Sequence, residues 1–322
     1  MFTNPFVWLF PGQGAQYQGM ALDFWERSQE VRQLFELASD STGNDMHALL
    51  LHGDGETLKR TDVSQPAITL ANLSAAAYLA KQGFQAAGAA GFSLGEYAAL
   101  VTTGVISPED CFRLVTARGK AMQESADRLG SGATAPGMAA VIGLAPEQVE
   151  SLITAWKVEG VSGLYAANIN SPRQTVVAGT SEALAIAVSR FKDAGAKRVI
   201  RLAVAGPFHS PLIEDAVERF QPVLESVAFT DPVIPCYSNV SGTMLSTGAE
   251  AKQRALEQIT KPVRWLDEER AIAAQTGIEG VLETGPGKVL TGLWKEVGSP
   301  LPCVSTGTVA AMDQFLRTLT GV

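Results

Sequence analysis

The chain alternates between short apolar runs and longer segments in which apolar residues recur at helical spacing. The first run, FVWLF at 6–10, ends at PGQGAQ, so it predicts a buried strand that leads into a glycine-rich loop. Helical patterns follow in DFWERSQEVRQLFELASD and SQPAITLANLSAAAYLAKQG. QAAGAAGFS then predicts a short strand running into a sharp turn, and LGEYAALVTTGV predicts the helix after it.

The segment SPEDCFRLVTARGKAMQESAD carries a helix start signal. Ser107 stands in the N-cap position, Pro108 follows at the first helical position, and Asp110 lies three residues after the cap. This segment therefore predicts one long helix.

Between about 130 and 205 the pattern changes to strand, helix, strand, strand, helix, strand. The six segments are GMAAVIGL, APEQVESLITAWK, GLYAANIN, QTVVAGT, SEALAIAVSRFKDAG and KRVIRLAV. This βαββαβ order is typical of a ferredoxin-like unit. GSGATAPG at 130–137 indicates a linker into it. We therefore expect an α/β fold with a ferredoxin-like subdomain at 131–205, inserted into a domain built from 1–130 and 206–322. Short strands are expected later at VIPCYSN and GVLETG.

Composition narrows the function classes. Hydrophobic residues make up 46% and charged residues 18% of 322 residues, which favours a packed enzyme over a disordered chain. A net charge of −8 and the lack of a Lys/Arg run argue against nucleic-acid binding, and no apolar stretch is long enough to span a membrane. Three widely spaced cysteines (Cys111, Cys236 and Cys303) fit neither a disulfide framework nor a zinc site, so we expect a cytoplasmic protein.

The turn after the second predicted strand contains G-x-S-x-G. Ser93 lies between Gly91 and Gly95, with a strand of small residues before it and a helix pattern after it. A nucleophile elbow requires this context, because the serine must stand on a strained strand-to-helix turn. The alternative is an ordinary serine in a glycine-rich bend.

A nucleophilic serine needs a base, and the chain has only three histidines. His47 and His52 lie in DMHALLLHGDG and are most simply surface or capping residues. His209 lies in a loop, AGPFHSPL, directly after the βαββαβ segment. It is therefore the candidate partner of Ser93, against the alternative of a structural loop histidine.

The first loop and the long helix each hold a further candidate. PGQG does not fit a dinucleotide-binding fingerprint, because Tyr17 stands where the last glycine belongs. Two interpretations of this loop remain: it directs backbone N–H groups at an oxyanion, or it is a plain tight turn. Arg118 shares a helical face with Val115 and Met122, which predicts that it points partly inward. An inward arginine needs an anionic partner, bound or internal, and its planar fork suits a carboxylate.

Several motifs together resemble one family. FPGQGAQ, GFSLGEYAALV, RGKAMQ, NINSPRQTVVAG, AGAKRV, GPFHSPLI and ETGPGKVLTGL occur in an order and at spacings similar to those of malonyl-CoA:acyl carrier protein transacylases and the acyltransferase domains of polyketide synthases. The resemblance spans roughly residues 6–295. It implies a hydrolase-like α/β domain around a mostly parallel sheet, with a ferredoxin-like subdomain inserted into it.

The resemblance also implies roles for individual residues. Ser93 would take the malonyl group as an ester, with His209 as its base and Arg118 bound to the malonyl carboxylate. The remaining assignments are the oxyanion-hole amides of Gln13 and Leu94, the main-chain carbonyl of Gln258 that orients the histidine, Asn168 lining the site, and Lys197 and Arg198 for docking the acidic carrier protein.

Two aromatic residues concern the acyl pocket. The family most often has His before the nucleophile, whereas this chain has Phe92, so a polar neighbour of Ser93 is removed. Phe92 and Phe208 are expected to wall the acyl site against water, and Phe208 is expected to crowd a methyl group on the α-carbon of the acyl chain.

The function implied is transfer of malonyl from malonyl-CoA to acyl carrier protein by ping-pong kinetics, for fatty acid biosynthesis, in a monomer with no metal or redox cofactor. Three alternatives remain at this point. They are a discrete acyltransferase that loads polyketide synthase carrier proteins, an acyl-thioester hydrolase, and a non-catalytic carrier-binding protein.

Overall fold

A computed structural model describes residues 5–130, 132 and 134–320 of the chain. Within those ranges the elements follow in the order β1 (Phe6–Phe10), α1 (Leu22–Arg27), α2 (Gln29–Thr42), α3 (Met46–His52), α4 (Gly55–Lys59), α5 (Thr61–Lys81), β2 (Ala86–Gly91), α6 (Gly95–Thr102), α7 (Pro108–Arg128), β3 (Gly137–Ile142), α8 (Pro146–Val158), β4 (Leu164–Ser171), β5 (Gln174–Gly179), α9 (Ser181–Asp193), β6 (Arg198–Arg201), α10 (Glu214–Glu225), α11 (Gly248–Glu257), α12 (Trp265–Ala273), β7 (Gly280–Glu283), α13 (Val289–Val297), β8 (Cys303–Ser305) and α14 (Val309–Thr320).

The first sheet is parallel, with strand order β2-β1-β7-β8. Strand β1 lies in its middle and is apolar throughout because both of its faces are covered. Val7 and Leu9 pack on one side with Trp265 and Trp294, whereas Trp8 joins the larger core formed with α5 and α7 on the other side. The carboxyl ends of β1 and β2 therefore meet at one edge of this sheet.

The second sheet is antiparallel, with strand order β4-β5-β3-β6. Side chains alternate across it with period two. Ala139 and Val141 of β3 pack with α8 and α9 through Trp156 and Phe191. Met138 and the other residues of the opposite face look towards the first sheet and line a cavity there.

The α/β class and the six elements between 137 and 201 agree with the sequence prediction, and the observed arrangement is one parallel and one antiparallel sheet. The predicted domain boundary at 131 and part of the predicted linker at 130–137 lie outside the described residues. No helix of the described ranges has the length and apolar character needed to cross a membrane.

The helical pattern DFWERSQEVRQLFELASD forms two helices, because Ser28 adopts an extended conformation (φ −136°) and separates α1 from α2. One local prediction was wrong. The predicted strand VIPCYSN makes only isolated bridges, Cys236 with Ala89 and Tyr237 with Met244. This segment instead runs alongside β2 and brings the loop that follows it against the turn at Ser93.

Candidate active site

Ser93 stands on the turn between β2 and α6 with a left-handed backbone conformation (φ 51°). A serine rarely adopts this conformation, so the surrounding contacts must hold it. Its N–H donates to Asn239 Oδ1 over 2.6 Å, and the turn closes through an N–H of Gly95 that donates to the carbonyl of Phe92. The G-x-S-x-G segment is thus a strained strand-to-helix turn.

The two glycines of this motif are required by close backbone contacts. A Cβ atom on Gly91 would collide with the backbone of Gly95, and one on Gly95 would collide with the carbonyl oxygen of Phe10 at the end of β1. The helix after the nucleophile therefore packs directly on the central strand, and the elbow has a fixed position relative to the sheet.

His209 faces Ser93 across this turn. The distance from Ser93 Oγ to His209 Nε2 is 2.8 Å, and His209 Nδ1 lies 2.7 Å from the main-chain oxygen of Gln258. The carbonyl can only accept, so Nδ1 carries the proton and Nε2 is free to accept from the serine hydroxyl. His209 also has a left-handed backbone (φ 57°), and its N–H donates to the carbonyl of Ile259.

The environment keeps this imidazole neutral. Burial, and then the positive charge of Arg118, lower the pKa of His209 to about 4. Both effects disfavour the charged form, since the low-dielectric surroundings and a like charge each oppose a second cation. At neutral pH the ring is therefore unprotonated at Nε2, and the lone pair of Nε2 can accept the hydrogen bond of the Ser93 hydroxyl.

Arg118, on α7, is 1% exposed and lines the cavity beside Ser93. Its Nη1 donates to Gln65 Oε1 and its Nη2 donates to Gln258 Oε1, each over 2.9 Å. Tyr97 presents its ring 5.6 Å from the guanidinium carbon. Nε has no hydrogen-bond partner among the described residues, so the fork is held by neutral groups and retains unused donors.

Gln258 contributes to the site with both its backbone and its side chain. Besides accepting from Arg118, its amide Nε2 donates to Glu96 Oε2 over 2.6 Å and to the carbonyl of Ser93 over 3.1 Å. One residue therefore connects the nucleophile, the base, the buried arginine and a buried glutamate.

Glu96 and Asn239 are supporting residues that sequence reasoning missed. Glu96 Oε2 also accepts from the backbone N–H of Asn239 over 3.1 Å, and Asn239 Nδ2 donates to the carbonyl of Gly91 and to Glu268 Oε1, each over 2.7 Å. Burial raises the pKa of Glu96 to about 7, although the hydrogen bonds from Asn239 and Gln258 lower it. The acidic residue of LGEY inside an apolar helix pattern was the one signal in the sequence for this network.

Two backbone amides near Ser93 are unused. Gln13 follows β1 in the first loop, and Leu94 stands at the N-cap of α6. Within the described ranges neither N–H donates to a protein acceptor, whereas the N–H of Ser93 is occupied by Asn239. The two free donors therefore lie at the edge of the sheet where β1 and β2 end.

A cavity of about 260 Å³ lies between the two sheets, and Ser93 and His209 line it. The cavity is lined by three residues that the sequence analysis assigned to the acyl pocket, namely Phe92, Phe208 and Asn168. Phe92 packs edge-to-face on Trp265 with ring centroids 5.6 Å apart, so it is a fixed wall. Sequence reasoning did not find Lys59, Met122, Met138, Asn170, Gln174 or Val176, which also line the cavity.

The structure does not bring Lys197 and Arg198 to the cavity. Both are exposed at the start of β6, whereas Leu202 to Val204, just beyond the other end of that strand, line the cavity. Five residues of extended chain separate Lys197 from Leu202, about 16 Å. Of the other histidines, His47 stacks on Trp25 (centroids 4.2 Å apart) and His52 is exposed at the end of α3.

Comparisons with known proteins identify the family of the chain. The family model for the acyl transferase domain matches residues 7–303. The chain is 34% identical over 313 residues to the malonyl CoA-acyl carrier protein transacylase of Bacillus subtilis (strain 168), covering 97% of this chain and 96% of that protein.

Two solved structures show the same fold at similar identity. An acyl carrier protein S-malonyltransferase from Vibrio cholerae has a TM-score of 0.88 and 36% identity, covering 96% of this chain and 99% of that chain. A malonyl-transacylase in complex with its type II PKS acyl-carrier protein has a TM-score of 0.89 and 35% identity, covering 98% of this chain and 99% of that chain. By sequence and by fold, the chain belongs to the acyl transferase family and, within it, to the malonyl CoA-acyl carrier protein transacylases.

Proposed function

We propose that this protein transfers a malonyl group from malonyl-CoA to the phosphopantetheine thiol of acyl carrier protein, through an ester on Ser93. The observation that carries the proposal is the contact of 2.8 Å between Ser93 Oγ and His209 Nε2, at a cavity that also holds the buried cation Arg118. A hydroxyl with a base in contact supplies the nucleophile, and the cation selects an acyl group that ends in a carboxylate.

In the first half-reaction His209 accepts the hydroxyl proton as Ser93 Oγ bonds to the thioester carbonyl carbon. The C–S bond then breaks, and coenzyme A leaves as a thiol with the proton from His209 Nε2. The low pKa of His209 keeps the base neutral before each turnover, and the proton that it takes up is readily returned to the leaving sulfur.

The amides of Gln13 and Leu94 are the proposed donors to the oxyanion of the tetrahedral intermediate. Gln13 lies three residues after the end of β1 and Leu94 lies three residues after the end of β2, so both amides stand near the carboxyl edge of the first sheet, next to Ser93. The Ser93 N–H does not compete for this role, since Asn239 holds it.

Arg118 is the proposed partner of the malonyl carboxylate. A guanidinium has five N–H donors, and the two glutamine oxygens use two of them. Three donors remain. That of Nε is fully buried, so the proposed partners of a carboxylate in the cavity are the remaining donors of Nη1 and Nη2. Acetyl offers no such group, so acetyl leaves those donors unpaired in a desolvated site.

In the second half-reaction the carrier thiol gives its proton to His209 as its sulfur bonds to the ester carbonyl carbon. The C–O bond to Ser93 then breaks, and Ser93 Oγ takes the proton back from His209 Nε2. Phe92 and Phe208 limit ordered water near the ester, which favours the thiol over hydrolysis. Each step is an acyl exchange between oxygen and sulfur, so the proposed cycle uses no metal or redox cofactor.

The following assignments are also part of this proposal. Asn168 lines the acyl site, Phe208 crowds α-branched acyl groups, and Lys197 with Arg198 supplies positive charge for an acidic carrier protein. The protein acts as a cytoplasmic monomer in fatty acid biosynthesis. Residues 131–205 form an inserted ferredoxin-like subdomain between the two parts of a hydrolase-like domain at 1–130 and 206–322, an arrangement supported by the strand order β4-β5-β3-β6.

The hydrolase alternative is less well supported. An α/β hydrolase normally orients its histidine with a carboxylate, whereas His209 Nδ1 here contacts the carbonyl of Gln258. The relatives matched over nearly the whole chain bear transacylase names. Assay of fatty-acid and polyketide carrier proteins side by side would distinguish the two transferase alternatives.

A loading and discharge experiment tests the proposal. The protein is incubated with malonyl-CoA, and intact mass is measured before and after addition of carrier protein or buffer. We expect a malonyl adduct on the peptide that holds Ser93, discharged by holo carrier protein and stable in buffer for much longer.

Two variants make the result specific. Ser93→Ala removes the nucleophile and should show no adduct, whereas Arg118→Ala should lose at least about tenfold in malonyl loading relative to acetyl loading, because a charge-assisted contact is lost. Rapid loss of the adduct in buffer would favour a hydrolase, and no adduct on the parent would favour a binding protein.

A further inference from the structure

A buried cation and a buried carboxyl are connected through one amide behind the active site. Arg118 and Glu96 are each 1% exposed. Gln258 Oε1 accepts from Arg118 Nη2 over 2.9 Å, and Gln258 Nε2 donates to Glu96 Oε2 over 2.6 Å. The amide dipole of Gln258 thus points its oxygen at the cation and its N–H at the carboxyl, which is the orientation that an ion pair across it would favour.

The hydrogen bonds around Glu96 suit an anion. Both partners of Oε2, the side chain of Gln258 and the backbone N–H of Asn239, are donors, and Oε1 has no partner among the described residues. A protonated Glu96 would carry an O–H donor with no acceptor there. Arg118 also favours the ionised form of Glu96.

A second buried carboxyl nearby does not compete for this role. Glu268 contacts Asn239 Nδ2 but none of its hydrogen bonds reaches Gln258 or Arg118 in the described structure. Burial, together with the negative charge of Glu96, raises the pKa of Glu268 well above its ordinary value. The carboxyl that contacts Gln258 behind the arginine is therefore that of Glu96.

We propose that Glu96 is a positioning residue that acts through Gln258 as the resident counter-charge of Arg118 and so limits how tightly the site holds a substrate carboxylate. This rests on the proposed function, since it requires malonyl as the acyl group. A carboxylate that binds Arg118 must share the cation with Glu96 in a desolvated site, where like charges repel strongly. The ester on Ser93 is therefore held firmly enough to select malonyl and weakly enough to be passed on.

The effect can be measured in the loading equilibrium, in which malonyl-CoA and enzyme form malonyl-enzyme and coenzyme A. Its equilibrium constant is the malonyl loading constant. In Glu96→Gln the acceptor of Gln258 Nε2 is kept and the negative charge is removed. We expect the malonyl loading constant at pH 8 to rise at least about fivefold, because typical coupling between two sites has this size, while the acetyl loading constant stays unchanged. Transfer from the malonyl ester to the carrier should slow correspondingly.

The matched control is Glu269→Gln on α12. Glu269 is equally buried and neither carboxylate oxygen has a hydrogen-bond partner among the described residues. Burial raises its pKa to about 9, so the substitution removes little charge at pH 8. Its ratio of malonyl to acetyl loading should equal that of the parent, which separates loss of charge from the general disturbance of a buried Glu→Gln change.

Intact mass measures the malonyl and the acetyl loading constants at fixed ratios of acyl-CoA to coenzyme A. The ratio of the malonyl constant to the acetyl constant is unaffected by any disturbance that changes both constants equally. An unchanged or lower ratio in Glu96→Gln would overturn the inference. A parent protein that forms no malonyl ester would instead overturn the proposed function. Should Glu96→Gln fail to fold, Glu96→Asp keeps the charge and must keep the parental ratio, and a fivefold rise in that variant would also contradict the inference.

Discussion

His209 has a strained backbone and a ring whose surroundings keep it neutral. Its backbone is left-handed, and its ring is buried beside Arg118. The neutral form is the one that accepts a proton from Ser93, so the features that make the residue a ready base also oppose its protonation in acid. This has a measurable consequence for stability.

We expect the free energy of unfolding to fall in acid through His209. Its pKa is about 4 in the folded protein and ordinarily 6.5 when unfolded, so the unfolded chain takes up the proton first as pH falls below 6.5. Between pH 7.5 and 5 this amounts to about 2 kcal/mol. Buried carboxyls with raised pKa act in the opposite direction, so urea unfolding of the parent is compared with that of His209→Ala. Equal pH dependence in the two proteins would refute the assignment.

At the residue scale, the sequence could predict the groups whose type is rare or whose motif is local. Ser93 stands in a five-residue pattern and His209 is one of three histidines. Glu96 and Asn239 escaped prediction because glutamate and asparagine are common, and their role depends on contacts across more than 140 positions of the chain. The amide of Gln258 escaped for the same reason, although its carbonyl was implied by family resemblance.

At the scale of elements, the site depends on how closely α6 approaches β1. The contact between Gly95 and the carbonyl of Phe10 leaves no space for a side chain, and it fixes the N-terminus of α6, with Leu94, beside the nucleophile. The elements themselves follow from periodicity, as in α7, whose N-cap Ser107 accepts from the N–H of Asp110 over 3.0 Å. The break at Ser28 did not follow, because apolar spacing continues across it.

Gly95→Ala tests the close approach. We expect a loss of about 1–3 kcal/mol in the free energy of unfolding, because the new methyl group must push α6 away from β1. We also expect loading of Ser93 to fall in the variant that remains folded. Urea unfolding and adduct formation measure the two effects.

The control is Gly292→Ala in α13, where a Cβ would meet nothing within 4 Å. This change should stabilise the protein by about 0.5–1 kcal/mol, because alanine is the better helix former. Equal stability of the Gly95→Ala and Gly292→Ala variants would mean that the turn at Ser93 can accommodate a methyl group. The steric explanation of its glycines would then be wrong.

At the scale of the whole molecule, the cavity forms where the two sheets face each other. Segments from residues 13 to 293 line it, which no local pattern could indicate. The βαββαβ pattern predicted the second sheet and the family resemblance implied the mostly parallel first sheet, but how the two sheets face each other depends on long-range packing. Charge also acts at this scale, since the net charge is −8 and an acidic partner must find a positive region on the surface.

The double variant Lys197→Glu and Arg198→Glu tests the proposed docking region. We expect KM for carrier protein to rise by about tenfold at low salt and less at high salt, with malonyl-CoA loading unchanged, because exposed charges act on encounter and are screened. Lys157→Glu with Lys192→Glu is the matched control, because both residues are exposed on α8 and α9, across the second sheet from the cavity. The same rise in KM in both double variants would mean that the change in net charge, and not the position of Lys197 and Arg198, causes the effect.

The acceptor of the His209 Nδ1 proton is a peptide oxygen, and this has a genetic consequence. No side-chain substitution at position 258 deletes that oxygen. An alanine scan can therefore detect the nucleophile and the base, but it cannot detect the carbonyl that accepts the hydrogen bond of His209 Nδ1. What such a scan records at Gln258 is only the loss of its amide. Replacing the 258–259 peptide bond with an ester would weaken this carbonyl as an acceptor, and backbone chemistry of this kind is what reveals its contribution.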